Sequence, residues 1–230
     1  MILCKNLSKE YDGIPAVNGA NIKIQKGELV ALLGNNGAGK TTLLNMLAGI
    51  VKPSSGSIHF DSPALPGPEI PTNRARIGLV SEHSFLTPEL TIKENLSFYA
   101  SLFYRSRGQY DIASVMDEYG LTSRQNQKIS TLSRGWKQRT SIARAMLGQP
   151  EYILLDEPEN GIDQTTRGIL GQSLFSETAH RSLVFATHNI DLAIDWCSKA
   201  IVLDNGNLIH EINNLSNESK TTIMQALDSK

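Results

Sequence analysis

The run ELVALL, residues 28–33, leads straight into GNNGAGKTT, residues 34–42, and then into LLNMLAGI, residues 43–50. An apolar strand, a glycine-rich turn and a helix with Leu43, Leu44, Leu47 and Ala48 on one face restrict the fold more than any other stretch. The turn satisfies GxxxxGK[ST] through Gly34, Gly39, Lys40 and Thr41, in the strand-then-helix setting that the motif requires. Glycines let backbone N–H groups approach phosphate oxygens, and the helix N-terminus adds partial positive charge. The loop residues Gly34, Asn35, Asn36, Gly37, Ala38 and Gly39 would cradle the phosphates of a bound nucleotide. Lys40 would reach the β- and γ-phosphates, Thr41 would hold Mg²⁺, and Thr42 would sit near the α-phosphate.

A second stretch supplies the complementary chemistry. YILLDEP is a buried strand ending in Asp156, a Mg²⁺ ligand directly or through water, followed by Glu157, placed to act as general base on an attacking water. A DE pair alone is an ordinary strand end. Together with the phosphate loop it becomes strong evidence for these roles.

Short strands fill the opening 60 residues: ILCKNL, NIKI, ELVALL and SIHF. Residues 61–75, with four prolines, read as an irregular connection. Helical periodicity takes over from about Thr91 in TIKENLSFYASLFYR, DIASVMDEYG and SRGWKQRTSIARAMLG. Strands return with YILLDEP and RSLVFATH, and AIVLDNGNLI closes the sheet. The expected architecture is an α/β P-loop NTPase core of the RecA-like kind, with an N-terminal antiparallel β region and an inserted α-helical subdomain. In residue terms the core takes 1–83 and 150–212, the helical lobe about 84–149, and a short C-terminal tail 213–230.

The charge balance, 22 Lys and Arg against 23 Asp and Glu, leaves no electrostatic footprint for nucleic acid. The pairs Arg74/Arg76 and Arg105/Arg107 read as solvated faces. Cys4 and Cys197 build no disulfide framework, and read as small buried apolar residues. No apolar run approaches the roughly 20 residues that span a bilayer, and the N-terminus lacks a signal-peptide pattern. The expected location is the cytoplasm or the cytoplasmic face of a membrane, with any membrane role exercised through a partner.

LSRGWKQ, residues 132–138, resembles the LSGGQ signature of ATP-binding cassette (ABC) ATPases, and it falls in the family's order, between the phosphate loop and DEP. Ser133 and Gly135 match, while Arg134 and Trp136 stand where the signature has glycine and glutamine. By itself the stretch is a helix start with Ser133 as N-cap. The resemblance implies that this start points at the γ-phosphate held by an opposite subunit. It also implies that His188, 31 residues after Glu157, is the switch histidine. Asp163 is then the aspartate crossing the dimer interface, and Tyr11 the aromatic that stacks on adenine. Glu82 stands where the family has a metal-sensing glutamine, with His83 and Ser84 as register alternatives. A carboxylate there can still bind Mg²⁺.

The implied protein is the ATP-binding subunit of an ABC transporter. Two copies, or one copy and a related ATPase subunit, close around two ATP and drive an integral-membrane subunit, with export favoured by Glu82 and the LSRG variant. A soluble ABC ATPase would carry a long heptad insertion or a second cassette. A phosphate-loop kinase would lack the LSRG, DEP and TH series. The cargo is not legible.

Overall fold

The computed structural model describes residues 1–61, 67–81, 83–107, 111–158, 168 and 181–228. Glu82 and Asp163 lie outside the described residues.

Two sheets organise the described residues. The smaller is three-stranded and antiparallel, in the order β2-β1-β4, from β1 (Ile2–Tyr11), β2 (Ile14–Ile24) and β4 (Ser55–Phe60). The larger is six-stranded, in the order β5-β6-β7-β3-β8-β9. Its members are β3 (Leu29–Leu33), β5 (Ile77–Val80), β6 (Tyr152–Asp156), β7 (Ser182–Thr187), β8 (Lys199–Asp204) and β9 (Asn207–Asn213). Neighbours from β5 through β8 are parallel, and β9 returns antiparallel at the edge. The stretch AIVLDNGNLI, which closes the sheet, does so as a hairpin of β8 and β9. NIKI is only the end of the 11-residue β2.

The central strands are buried along their length, as expected of a parallel sheet covered on both faces. Successive side chains point to opposite faces, so the strands divide their residues between two cores. Val30, Leu32, Leu154 and Val184 face Leu43, Leu44 and Leu47 of α1 (Lys40–Leu47), with Ile2, Ile22 and Phe60 of the small sheet behind them. Ala31, Leu33, Leu155 and Phe185 face the other way, into a core shared with Leu96, Met116 and Ile142. Those three come from α3 (Ile92–Arg107), α4 (Ile112–Glu118) and α5 (Arg134–Met146). The helical lobe thus closes one face of the sheet directly.

Between the sheets, the described residues of the proline-rich connection include a short helix, α2 (Pro71–Arg74). Near it Arg76 bonds Asp61 and Glu151, and Tyr152 donates to Asp61. After α6 (Ile190–Trp196), the β8–β9 hairpin leads to α7 (Ser219–Asp228). The C-terminal stretch is anchored, because Ile223 is fully buried against the lobe-side core and Lys220 Nζ lies 2.6 Å from Asp191 Oδ1. Cys4 and Cys197 are buried and unpaired with each other, and burial pushes both thiols up to about 12. Among the described residues no helix is long and apolar enough to cross a membrane.

Candidate functional site

Strand order brings the site together. β6, β7 and β3 are consecutive neighbours, with Asp156 opposite Ala186 and Leu33 opposite Thr187. The residues leaving their carboxyl ends, Glu157, His188 and Gly34, therefore emerge side by side at the edge where α/β sheets bind ligands. The backbone N–H of Glu157 donates to the carbonyl of Ala186 at 2.9 Å, which extends the β6–β7 pairing one residue beyond the strand. Glu157 itself has φ of 43°, in the left-handed region. Strain of this kind persists where the surroundings over-determine it, and it is concentrated at functional sites.

Glu157 Oε1 lies 3.6 Å from Lys40 Nζ and 3.4 Å from His188 Nδ1. The Lys40 side chain is buried, its ammonium donating to the carbonyls of Gly34 at 2.8 Å and Asn35 at 3.2 Å. The phosphate loop thus folds around its own lysine. An arriving polyphosphate has the same charge and acceptor type as these partners and can take the lysine from them. His188 is exposed beside Glu157 and can donate to an anion entering from solvent.

The loop glycines answer two different demands. A Cβ on Gly34 would stand 2.5 Å from the carbonyl oxygen of Leu203, and one on Gly39 would stand 2.3 Å from that of Ala16. Gly39 also has φ of 103°. Close packing on β8 and on β2 therefore requires these two glycines, in addition to any approach of phosphate. Gly37, with φ of 82°, has open space where its Cβ would be, so no packing contact requires it to be glycine. The contact with Ala16 also seats the β1–β2 hairpin on the phosphate loop. At the end of that hairpin stands Tyr11, paired with Ile14 and half exposed, with Lys9 Nζ 5.0 Å from its ring centroid. An exposed ring beside a phosphate loop is available for stacking on a base.

Asp156 is buried at the end of β6, while Thr41 is exposed at the start of α1. These are hard oxygen donors of the kind Mg²⁺ prefers. Among the described residues no group of three or more His, Cys, Asp or Glu is placed to hold a metal unaided. Mg²⁺ typically combines one or two protein oxygens with substrate phosphates, so this donor set fits it. Ala38 and Asn36 sit in the turn, and Thr42 is partly buried in the first turn of α1.

Ser133 occupies the N-cap position of α5, but its hydroxyl makes no capping bond and the residue is exposed. The expected capping role is not realised, since no helix amide donates to that hydroxyl. Gly135 follows in the first turn. A cavity of about 270 Å³ separates this helix start from β6, lined by Ser81, Ser84, Arg134, Lys137, Gln138, Asp156 and Glu157. Its cationic side chains, Arg134 and Lys137, both belong to the signature stretch LSRGWKQ, whose spacing alone does not mark them as site residues.

A glycine-rich loop between strand and helix, with a buried aspartate and a strained glutamate at the end of the next strand but one, defines a P-loop nucleotide hydrolase. A family model described as ABC transporter matches residues 17–160, more than half of the chain, and the chain belongs to that family. It is 36% identical over 208 residues to the Nod factor export ATP-binding protein I of Rhizobium johnstonii, covering 89% of this chain and 67% of that protein. It is 32% identical over 213 residues to the linearmycin resistance ATP-binding protein LnrL of Bacillus subtilis, covering 91% and 68%. The chain spans only 9% of the mouse retinal-specific phospholipid-transporting ATPase ABCA4, at 32% identity. Among solved structures, the dimeric post-hydrolysis state of the ATP-binding cassette MJ0796 bound to ADP and Pi matches with a TM-score of 0.81 and 30% identity, over 93% of this chain and 98% of that one. The chain is an ATP-binding, ATP-hydrolysing cassette of the transporter family, and such cassettes dimerise and work with membrane components.

Proposed function

We propose that two copies of this chain, or one copy and a related ATPase subunit, close around two ATP and power export through a separate membrane subunit. The observation that carries this reading is the meeting of Glu157, Lys40 and His188 at the carboxyl edge of β6, β7 and β3. In each site residues 34–42 cradle the phosphates, Tyr11 stacks on adenine, and Ser133, Gly135 and Asp163 come from the opposite copy. Lys40 offsets charge on the β- and γ-phosphates. Glu157 takes a proton from water as the water oxygen bonds to the γ-phosphorus and the bond to the β–γ bridging oxygen breaks, leaving ADP and phosphate. His188 orients the water and the γ-phosphate. Thr41, Asp156 and Glu82 would hold Mg²⁺, which when bound neutralises phosphate charge.

Export is supported by the similarity to relatives whose names specify export or resistance. The helical lobe offers the surface for the membrane subunit. Phe98 and Leu102, four residues apart on α3, are 50% and 57% exposed, and Phe85 lies nearby at 42%. Exposed apolar side chains on one helix face suit a partner better than water. The chain would then sit at the cytoplasmic face of the membrane, held through that subunit.

The test combines phosphate-release assays of the wild type with size-exclusion chromatography of Glu157→Gln. ATP should convert the variant from monomer to dimer, and the wild type should release phosphate without an added acceptor. A monomeric variant at saturating ATP, with an inactive wild type, would refute the reading.

A further inference from the structure

The first turn of α5 has almost none of the local features that normally hold a helix start. Its N-cap hydroxyl makes no capping bond, and no acidic residue lies in the turn. Gly135 is a poor helix former, and the side chains of Arg134 and Lys137 are cations placed at the positive end of the helix dipole. Read locally, this turn should fray. It carries Ser133 and Gly135, the residues that the two-copy reading aims at the opposite nucleotide.

Trp136 lies in that turn. The guanidinium carbon of Arg124 and that of Arg139 each lie 4.7 Å from its ring centroid. Arg139 is three residues further along α5, whereas Arg124 ends the separate 3₁₀ turn Thr122–Arg124. The indole also packs against the apolar core of the helical lobe, and its carbonyl accepts from Thr140 Oγ1 at 2.8 Å. Trp136 therefore joins the first turn of α5 to the following turn, to the lobe core and to the segment that precedes Ser133.

We propose that Trp136 is a positioning residue for hydrolysis: by stacking with Arg124 and Arg139 it holds the uncapped start of α5 so that the Ser133 hydroxyl and the Gly135 N–H meet the γ-phosphate of ATP bound to the opposite copy. The proposal rests on the two-copy reading above. Both guanidinium groups engage the indole within its own lobe, so it acts through Ser133 and Gly135 and not by touching nucleotide in its own site.

The experiment compares Trp136→Leu and Trp136→Phe with the wild type, in the native background for kinetics and in the Glu157→Gln background for ATP-dependent dimerisation by light scattering. Leucine removes the ring and phenylalanine keeps a weaker one. Trp136→Leu should lower kcat about tenfold and raise the ATP concentration needed for dimerisation, with ATP affinity of the monomer within about twofold of wild type. Trp136→Phe should recover part of both losses. A Trp136→Leu protein that hydrolyses and dimerises like wild type overturns the proposal and leaves the two-copy reading intact. Failure of Glu157→Gln with native Trp136 to dimerise at saturating ATP overturns both. Should Trp136→Leu not fold, Arg124→Ala, which removes one stack at an exposed position, decides the matter: a several-fold drop in kcat supports the proposal, and wild-type kcat refutes it.

Discussion

Lys40 Nζ and Glu157 Oε1 stand 3.6 Å apart, so the cation of the phosphate loop and the carboxylate that follows β6, two strands away in the sheet, face each other directly. Opposite charges about 4 Å apart attract by about 1 to 4 kcal/mol between water-like and protein-surface dielectrics. An incoming polyphosphate competes with Glu157 for the lysine and is repelled by the same carboxylate. Glu157→Gln should therefore bind ATP as tightly as the wild type or more tightly, while hydrolysis falls by about 10²- to 10⁴-fold through loss of the general base. Titration with a labelled nucleotide and a phosphate-release assay on one preparation separate the two effects.

Lys40→Ala removes the ammonium that now spans the carbonyls of Gly34 and Asn35 and the Glu157 carboxylate. Hydrogen bonds to a charged group contribute about 1.5–3 kcal/mol, so ATP affinity should fall roughly ten- to a hundredfold. Isothermal titration with ATP checks this, and wild-type affinity would remove Lys40 from the phosphate site.

Gly39→Ala tests the packing role of the loop glycines. The new Cβ would meet the Ala16 carbonyl oxygen at 2.3 Å at a backbone φ of 103°. Left-handed strain alone costs about 1–3 kcal/mol, and relief requires Ala16 to move, taking the Tyr11 hairpin with it. The melting temperature should drop and adenine selectivity should weaken, measured as the ratio of ATP to GTP affinity. Gly37→Ala is strained by its positive φ but meets no neighbour, so its loss should appear mainly in phosphate binding.

Asp61 links stability to pH. Burial works to raise its carboxyl, but hydrogen bonds from Arg76, Tyr152 and the Met1 ammonium outweigh this and hold it at about 2. An unfolded aspartate titrates near about 3.9. The folded value is the lower one, so the stabilisation is present above about pH 4 and is lost as pH falls from there toward about 2. Asp61→Asn should flatten stability over that window, followed by urea unfolding at a series of pH values. The carboxylate is partly exposed, so added salt should shrink the difference.

Much of this molecule follows from short-range patterns. The apolar run before Gly34, the Lys40 helix, the continuous burial of YILLD and the three helices of the lobe are legible because each rests on residues within one or two turns of one another. The chemical identity of the site was equally legible, since the phosphate loop and the DE pair are local strings. What the sequence left open is every relation between distant segments. That Glu157 meets both Lys40 and His188 depends on β7 lying between β6 and β3, an order set by backbone hydrogen bonding among strands far apart in the chain. Only the fold shows that Gly34 and Gly39 are required by Leu203 and Ala16, whose carbonyls reach them from other strands. The same is true of Ser133, an N-cap by spacing whose hydroxyl makes no cap, and of Trp136, stacked with an arginine 12 positions earlier and another 3 later. Periodicity and motif spacing encode local conformation, whereas the partner of a side chain is decided when strand order and lobe packing place non-adjacent segments within a few ångströms.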